Sequence, residues 1–304
     1  MRITIKTIVV LMFTIIGTSL KAQQEPQFTQ FNDNMLYFNP AYAGSKEALN
    51  VTAMHREQWV GFQGRPVTST VSLNTPLSYK SLGFGLTLVN DHAGIVDQKM
   101  AYADISYTIK FTNKAKLAFG LKGGVNYLSI GSASYNVSMP NDPNLTQEAS
   151  ARMNPNFGFG MYYYTPKFFC GISVPKLVEN TYDGTNVNSE SRHYYANIGT
   201  VLKLNPFWKL RAIAQAKATK GSPVGIDLSV TGIYNDKFLI GTMYRIGIEG
   251  GVFAQFQLGP QFRAGLAYDF GMNAMRDYHN GSFEVMLSYD IIFKKEGVRS
   301  PRYF

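Results

Sequence analysis

The feature of this sequence that most constrains its fold is an alternation of side chains with a period of two. From Leu49 onward, apolar residues alternate with small or polar residues in segments of about ten, separated by turn residues. In the clearest segment one face carries Ala101, Ala103, Ile105, Tyr107, Ile109 and Phe111. Fourteen such segments follow one another, and no long stretch keeps the 3.6-residue period of an amphipathic helix. The pattern predicts an all-β chain.

Two antiparallel architectures show this alternation: a soluble sandwich and a transmembrane barrel. Segment length favours the barrel, because a tilted spanning strand needs about 9–11 residues and a strand of a globular sheet about 5–6. Charged residues make up only 16% of the chain. Aromatic residues recur near segment ends, as in the interfacial girdles of membrane barrels: Tyr107, Phe111, Trp208, Tyr234, Phe238, Phe270 and Phe293. We predict a transmembrane antiparallel β-barrel of about 14 strands, with a soluble β-protein as the alternative.

The first residues indicate export. Residues 1–22 combine the basic Arg2 and Lys6 with an apolar core, 8–16, and small residues before Ala22. This order is typical of a cleaved signal peptide, and the apolar core is short for the alternative, an uncleaved helical anchor. We expect residues 23–47 to form a short N-terminal segment outside the barrel wall, periplasmic or plug-like, and residues 48–304 to form the barrel.

Turn lengths predict the orientation of the barrel. Short turns at 113–114, 205–206 and 235–236 alternate with longer loops at 130–152, 179–192 and 271–281. In outer-membrane barrels the short turns face the periplasm and the long loops face outside.

If the apolar faces contact lipid, the charged positions of the other faces line the lumen. The basic ones are Arg56, Lys110, Lys116, Lys122, Lys209, Arg211, Lys217, Arg245 and Arg263, and the acidic ones are Asp104, Asp227, Asp269, Glu284 and Asp290. They are interpreted either as a basic passage or dock for an acidic partner, or as a wall of mixed ion pairs and water. Lys116 and Lys217 lie near strand ends, where water alone could solvate them.

Signals for catalysis or cofactor binding are weak. The four histidines lie far apart in sequence, and none has a metal-ligand neighbour at helical or hairpin spacing. The glycine-rich runs lack a nucleotide-binding pattern and predict close packing or bending of strands. We expect no enzyme activity, no cofactor and no metal, and an exported, aromatic-rich chain argues against nucleic acid as a partner.

A motif-rich stretch follows the first 22 residues. It reads Asn39-Pro40-Ala41-Tyr42-Ala43-Gly44, then Arg56-Glu57-Gln58-Trp59-Val60-Gly61-Phe62, then Gly64-Arg65-Pro66-Val67-Thr68. Gly83-Phe84-Gly85, Asn90-Asp91 and a terminal Pro301-Arg302-Tyr303-Phe304 come later. From about Gln24 to its last residue the chain resembles the PorP/SprF family of type IX secretion system outer-membrane proteins.

The resemblance implies a non-enzymatic outer-membrane β-barrel of a Gram-negative bacterium, active in protein secretion or gliding motility. It implies one of two kinds of partner besides outer-membrane lipid. One is the C-terminal sorting domain, of type B, of a large secreted adhesin that the barrel helps to secrete or attach. The other is the periplasmic ring or the peptidoglycan-binding component of the machine. A passive porin-like channel is the main alternative function, and a barrel hydrolase using His193 or His279 is a remote one.

The candidate partner-binding or structural residues come from the motifs and from the basic lumen positions. They are Asn39, Pro40, Tyr42, Gly44, Arg56, Gln58, Trp59, Phe62, Arg211, Arg245 and Arg263. Pro40 fixes φ and Gly44 permits a positive φ, so a compact, rigid segment is expected. One hypothesis is that residues 23–47 fold against or into the periplasmic mouth, held by Arg56 and Trp59. The alternative is that these residues only help to close the barrel, with Trp59 in the interfacial girdle.

Overall fold

The computed structural model describes residues 25–46, 48–77, 81–130, 150–179 and 191–291. They form a closed antiparallel barrel of fourteen strands in which each strand pairs with its neighbours in sequence and β1 pairs with β14. The predicted signal peptide 1–22, the end of the chain including Phe293 and 301–304, and most of the loops 130–152 and 179–192 lie outside the described residues.

The predicted fold class and strand number are confirmed. The strands are β1 Leu49–Glu57, β2 Val67–Pro76, β3 Leu82–Ala93, β4 Val96–Lys110, β5 Lys116–Ile130, β6 Ser150–Tyr164, β7 Phe168–Val174, β8 His193–Lys203, β9 Trp208–Thr219, β10 Gly225–Tyr234, β11 Phe238–Arg245, β12 Glu249–Gln257, β13 Phe262–Gly271 and β14 Ser282–Ile291. Among the described residues, no helix has the length and apolarity that crossing a bilayer requires.

Side-chain burial follows the predicted alternation. In β1 the buried residues include Asn50, Thr52 and Arg56, so the polar face points into the barrel. In β14 the outward residues are apolar and large, with Phe283 50% and Leu287 44% exposed. So many outward apolar side chains would be costly in water, at about 25 cal/mol per Å². The outer surface therefore suits hydrocarbon.

The two ends of the barrel differ. At the chain-end mouth, where β1 begins and β14 ends, the strands are joined by short turns such as 235–237, where Asn235 and Asp236 have φ of 51° and 56°. Two successive residues with positive φ are typical of a tight type I′ hairpin turn. At the opposite, loop-end mouth the connections include 58–66 and 272–281. The chain-end mouth is therefore the end expected to face the periplasm.

The core of the molecule lies inside the barrel. Residues 25–46, the luminal segment, contain two 3₁₀ turns, Phe31–Asn34 and Pro40–Tyr42, flanking one α-helical turn, Met35–Phe38. Nearly all of its described residues are buried, and they form one apolar cluster with inward residues of the wall such as Tyr102, Tyr162 and Phe169.

Candidate functional site

The luminal segment runs along the lumen from one mouth to the other. Near the loop end, Arg245 at the end of β11 donates from Nη2 to the carbonyl oxygen of Phe28, at 3.3 Å. Near the chain end, the backbone N–H of Gly44 donates to Oδ1 of Asn74, close to the end of β2. The segment then turns directly into β1. The hypothesis places the whole segment at the periplasmic mouth. The segment instead extends through the lumen, and its first residues lie near the opposite mouth.

Aromatic side chains fill the space between the segment and the wall. Phe28, Tyr37 and Phe38 contact one another edge to face, with centroid separations of 5.0–6.3 Å. Phe38 also contacts Tyr195 of β8 at 5.2 Å, and Tyr42 contacts Tyr162 of β6 at 5.5 Å. Such pairs stabilise packing by about 0.5–1.5 kcal/mol each beyond burial. These rings hold the segment against the β6–β8 side of the wall.

The NPAYAG motif forms the chain-end half of the segment. Asn39 accepts a hydrogen bond from the N–H of Ala41 at 2.9 Å and donates from Nδ2 to the carbonyl of Met161 in β6 at 3.0 Å. Pro40 begins the second 3₁₀ turn, and Gly44 has φ of +73°, as the sequence predicts. The motif is a compact turn whose side chains reach the wall.

Glycines of the wall make room for this motif. A Cβ on Gly120 of β5 would meet the backbone of Pro40 and Ala41, and one on Gly83 of β3 would meet the carbonyl of Ala43. A Cβ on Gly160 of β6 would meet the amide of Asn39. The wall strands approach the segment this closely only because these positions carry no side chain.

Arg56 is the centre of a buried ion cluster at the loop-end half of the lumen. Its guanidinium is fully buried and contacts Asp269, Glu249 at 3.0 Å and Glu284 at 3.4 Å. It also donates to Oγ1 of Thr29 in the luminal segment. Glu284 accepts the backbone N–H groups of Thr29 and Gln30 at 2.8 and 2.9 Å. Arg56 therefore contacts both the segment and three wall carboxylates, but near the loop-end mouth and not at the chain-end mouth where the hypothesis places this contact.

Arg245 extends this cluster along the wall. It contacts Asp227 at 2.9 Å and shares Glu249 with Arg56, and Asp227 also accepts from Lys217 at 3.1 Å. Lys217 is thus buried and paired rather than merely solvated at a strand end, which corrects that expectation. The reason is that β9 continues to Thr219, so Lys217 still faces the lumen.

Two further basic residues of the candidate set lie on the inner wall nearer the chain end. Arg263 contacts Asp33 of the luminal segment at 2.8 Å, and the buried Arg211 donates to Oγ1 of Thr231 at 3.4 Å. The lumen is therefore lined by mixed ion pairs, one of the two arrangements expected. Lys110 has the inward phase of this wall but lies at the last position of β4, where it is exposed at the mouth and not buried in the lumen.

The second motif lies apart from the first. Gln58 bonds through its backbone to Pro66 in the β1–β2 connection, at 2.9 Å. Trp59, with φ of 53°, contacts the rings of Phe62 and His279 at 6.3 Å. These residues follow the end of β1, so they sit at the loop-end mouth. The expectation that Trp59 holds the segment at the periplasmic mouth is wrong. β1 runs the full height of the barrel, from the chain-end mouth to the loop-end mouth, before the chain reaches Trp59.

Sequence reasoning missed the anchor of the segment's first residues. Glu25 contacts Lys176, which follows β7, at 2.8 Å and accepts from the hydroxyl of Tyr37. Burial raises the pKa of Glu25, but the nearby Lys176 and His193 outweigh burial and leave that pKa below its ordinary value of 4.5. Thr29, Gln30 and Asp33 were also missed. The only sequence signal for the partners of Thr29, Gln30 and Asp33 is the set of charged residues at inward-facing strand positions.

The arrangement retains the luminal segment against the wall. The ion pairs described above join a group of the segment to the wall or a connection of the barrel, or join two groups of the wall. Within the described ranges, no group of three or more His, Cys, Asp or Glu side chains is placed to hold a metal ion.

Three solved structures resemble this chain in fold. The CymD monoaromatic hydrocarbon channel is 12% identical, with a TM-score of 0.54 over 86% of this chain and 93% of that one. Omp33 of Acinetobacter baumannii is 7% identical, with a TM-score of 0.48 over 82% and 100% of the two chains. A FadL homologue of Pseudomonas aeruginosa is 13% identical, with a TM-score of 0.43 over 84% and 93%. At these identities the likeness concerns the fold alone.

No curated protein is a recognisable relative by sequence. A family profile does match, over residues 20–289, and its description reads "Type IX secretion system membrane protein PorP/SprF". The match includes the luminal segment, both motifs and all but the last residues of β14. This chain is a member of the PorP/SprF family of type IX secretion system membrane proteins.

Proposed function

We propose that this chain is a plugged, non-enzymatic barrel of the outer membrane of a Gram-negative bacterium that works by binding protein partners of type IX secretion. Its role is to support the secretion or surface attachment of large adhesins through their type B C-terminal sorting domains, or to link the machine to its periplasmic ring or peptidoglycan-binding component. Family membership supports the secretion role, and the closed barrel with its apolar outer face supports the location.

The observation that carries the proposal is the occupied lumen. Residues 25–46 are buried along the barrel and held at both halves, by Arg56 and Glu284 near the loop end and by Asn39 and Gly44 near the chain end. A conduit for solutes needs an open path, whereas a docking component needs a stable frame. The buried ion pairs and close backbone contacts suit the second.

The passive porin is the rival reading, and single-channel recording separates the two. The wild-type barrel in planar bilayers is expected to stay closed without an adhesin present. A steady open pore in the intact wild-type protein would favour the porin and contradict the proposal.

Secretion is tested by deleting residues 24–45 at the native locus. Barrel assembly is measured by heat-modifiable migration in gels, and secreted adhesin is measured at the cell surface. The expected result is a folded barrel with impaired adhesin secretion. If the deletion variant neither folds nor secretes adhesin, the segment has a structural role in closing the barrel. That result would remove the support for docking. Arg65→Ala, at an exposed ion pair with Glu57, is the matched control and should leave both readouts unchanged.

A further inference from the structure

A one-sided basic arc surrounds part of the chain-end mouth. Four successive turns at this end, β4–β5, β6–β7, β8–β9 and β10–β11, each carry lysine. The lysines are Lys110, Lys114, Lys116, Lys167, Lys203, Lys209 and Lys237. The stretches 107–119, 161–171, 199–211 and 231–241 contain a single acid, Asp236, and it is bound to Lys209 at 2.7 Å.

Two pairs of these lysines lie directly opposite each other on neighbouring strands. Lys110 pairs with Lys116 across β4 and β5, and Lys203 pairs with Lys209 across β8 and β9. Like charges at directly opposed positions destabilise a sheet. The stretch 107–119 contains no acid near the first pair, whereas Asp236 offsets the charge of Lys209 in the second, so an anionic partner would relieve the repulsion mainly at the first pair.

The pairs belong to the inner edge of the rim. Lys110 is in phase with the buried Thr108, and Lys209 is in phase with the buried Arg211. The alternate, outward positions nearby are apolar and exposed, as at Phe111, Leu202 and Trp208. The ammonium groups thus border the aqueous mouth, while the apolar side chains face the bilayer. This placement favours a macromolecule docked under the mouth over lipid headgroups around the barrel.

Apolar side chains line the inner wall behind the arc and pack against the luminal segment's side of the barrel. Val201, Ile213, Ile233 and Leu239 are buried there, and the ring of Phe169 lies where a Cβ on Gly199 would be. A partner would therefore rest on the rim rather than enter the barrel.

We propose that the basic arc at the chain-end mouth is a docking surface for an acidic polypeptide segment in the periplasm. The inference deepens the proposed function and rests on it for an outer-membrane barrel with a periplasmic partner, and the short turns assign this mouth to the periplasm. Charge complementarity of this kind mainly sets the rate and specificity of association, and it weakens with salt.

The test uses the full mature barrel in nanodiscs of zwitterionic lipid and a fluorescent glutamate oligomer of about a dozen residues as the probe. The test variant combines Lys110→Gln, Lys167→Gln, Lys203→Gln and Lys237→Gln. The control variant removes the same charge at the other mouth, with Lys99→Gln, Arg152→Gln, Lys220→Gln and Arg276→Gln. Heat-modifiable migration verifies that both variants are folded.

The wild type and the control are expected to bind the oligomer with similar affinity, and the test variant about tenfold more weakly. Raising salt toward 1 M should abolish binding, because the Debye length falls to about 3 Å. If both variants lose the same affinity for the oligomer, binding depends only on the net charge of the protein, and the proposal is overturned. Stabilisation of the wild type by phosphatidylglycerol without oligomer binding would also overturn it, because the arc would then be a lipid contact. No adhesin takes part, so the result stands apart from the secretion assay.

Discussion

At the scale of single residues, this barrel depends on where side chains are missing as much as on where they are present. Wall glycines 83 and 120 admit the backbone of the luminal segment, Gly160 admits the side chain of Asn39, and buried Arg56 binds the segment through Thr29. The two devices act at different halves of the lumen. They can therefore be tested separately.

Gly120→Ala should displace the luminal segment. The added Cβ would meet the backbone of Pro40 and Ala41, which cannot move as a flexible side chain can, so we expect destabilisation of about 1–3 kcal/mol. Urea unfolding of the barrel in lipid, together with protease cleavage within residues 25–46, measures the effect. Gly123→Ala on the same strand is the control, because its Cβ would only contact the ring of Phe157 at 3.8 Å. Equal effects of the two variants would contradict the close-approach argument.

Arg56→Met should destabilise the folded barrel by about 3–5 kcal/mol, because it leaves Asp269, Glu249 and Glu284 buried without their shared cation. The same unfolding titration measures this loss. Arg65→Met breaks an ion pair of 2.9 Å whose side chains are 41% and 36% exposed, so its cost should stay below about 1 kcal/mol. A small effect at Arg56 would mean that the cluster is solvated and does not hold the segment.

At the scale of elements, the luminal segment is an irregular strap whose stability comes from the wall. Its helical turns have three or four residues each, far too few to be stable alone. Its first residue, Glu25, pairs with Lys176 outside the Arg56 cluster. The attachment of this end should therefore respond to pH through Glu25.

The contribution of Glu25 should disappear in acid. Its pKa in the folded chain lies below 4.5, so the ion pair stabilises the segment fully above that pH and is lost as the pH falls through the lowered pKa. Amide hydrogen exchange at Gln27 and Phe28, corrected for its intrinsic pH dependence, should accelerate only in the acid range. Glu25→Gln should exchange fast already at neutral pH and show little further change. A wild type whose exchange is independent of pH would contradict the role given to this pair.

At the scale of the whole molecule, the closed sheet forms the wall and the luminal segment, the inner strap, fills the interior. The sheet has no free edge, and its outward apolar face suits lipid, while the strap occupies the space that a porin of similar size would leave to water. The molecule also has unlike ends, with a basic arc at one mouth and mixed charge at the other.

Removing the strap should convert the barrel into a pore. Deletion of residues 24–45 is expected to give stepwise, voltage-independent conductance in planar bilayers, where the intact barrel gives none. Gly120→Ala should give brief openings, because it loosens the strap without removing it. A silent deletion variant that is folded by heat-modifiable migration would show that the wall side chains close the lumen by themselves.

The sequence by itself determined the strands, their number and their lipid-facing side, because these follow from a local period of two that needs no knowledge of distant partners. It also indicated the turn at Asn39-Pro40 and the positive φ at Gly44. It did not determine the path of the luminal segment or the mouth at which Trp59 lies. Thr29 and Glu284, which bind each other, are 255 residues apart, and no local pattern relates them. Only closure of the barrel brings such residues together, since a lumen exists only once β1 has paired with β14.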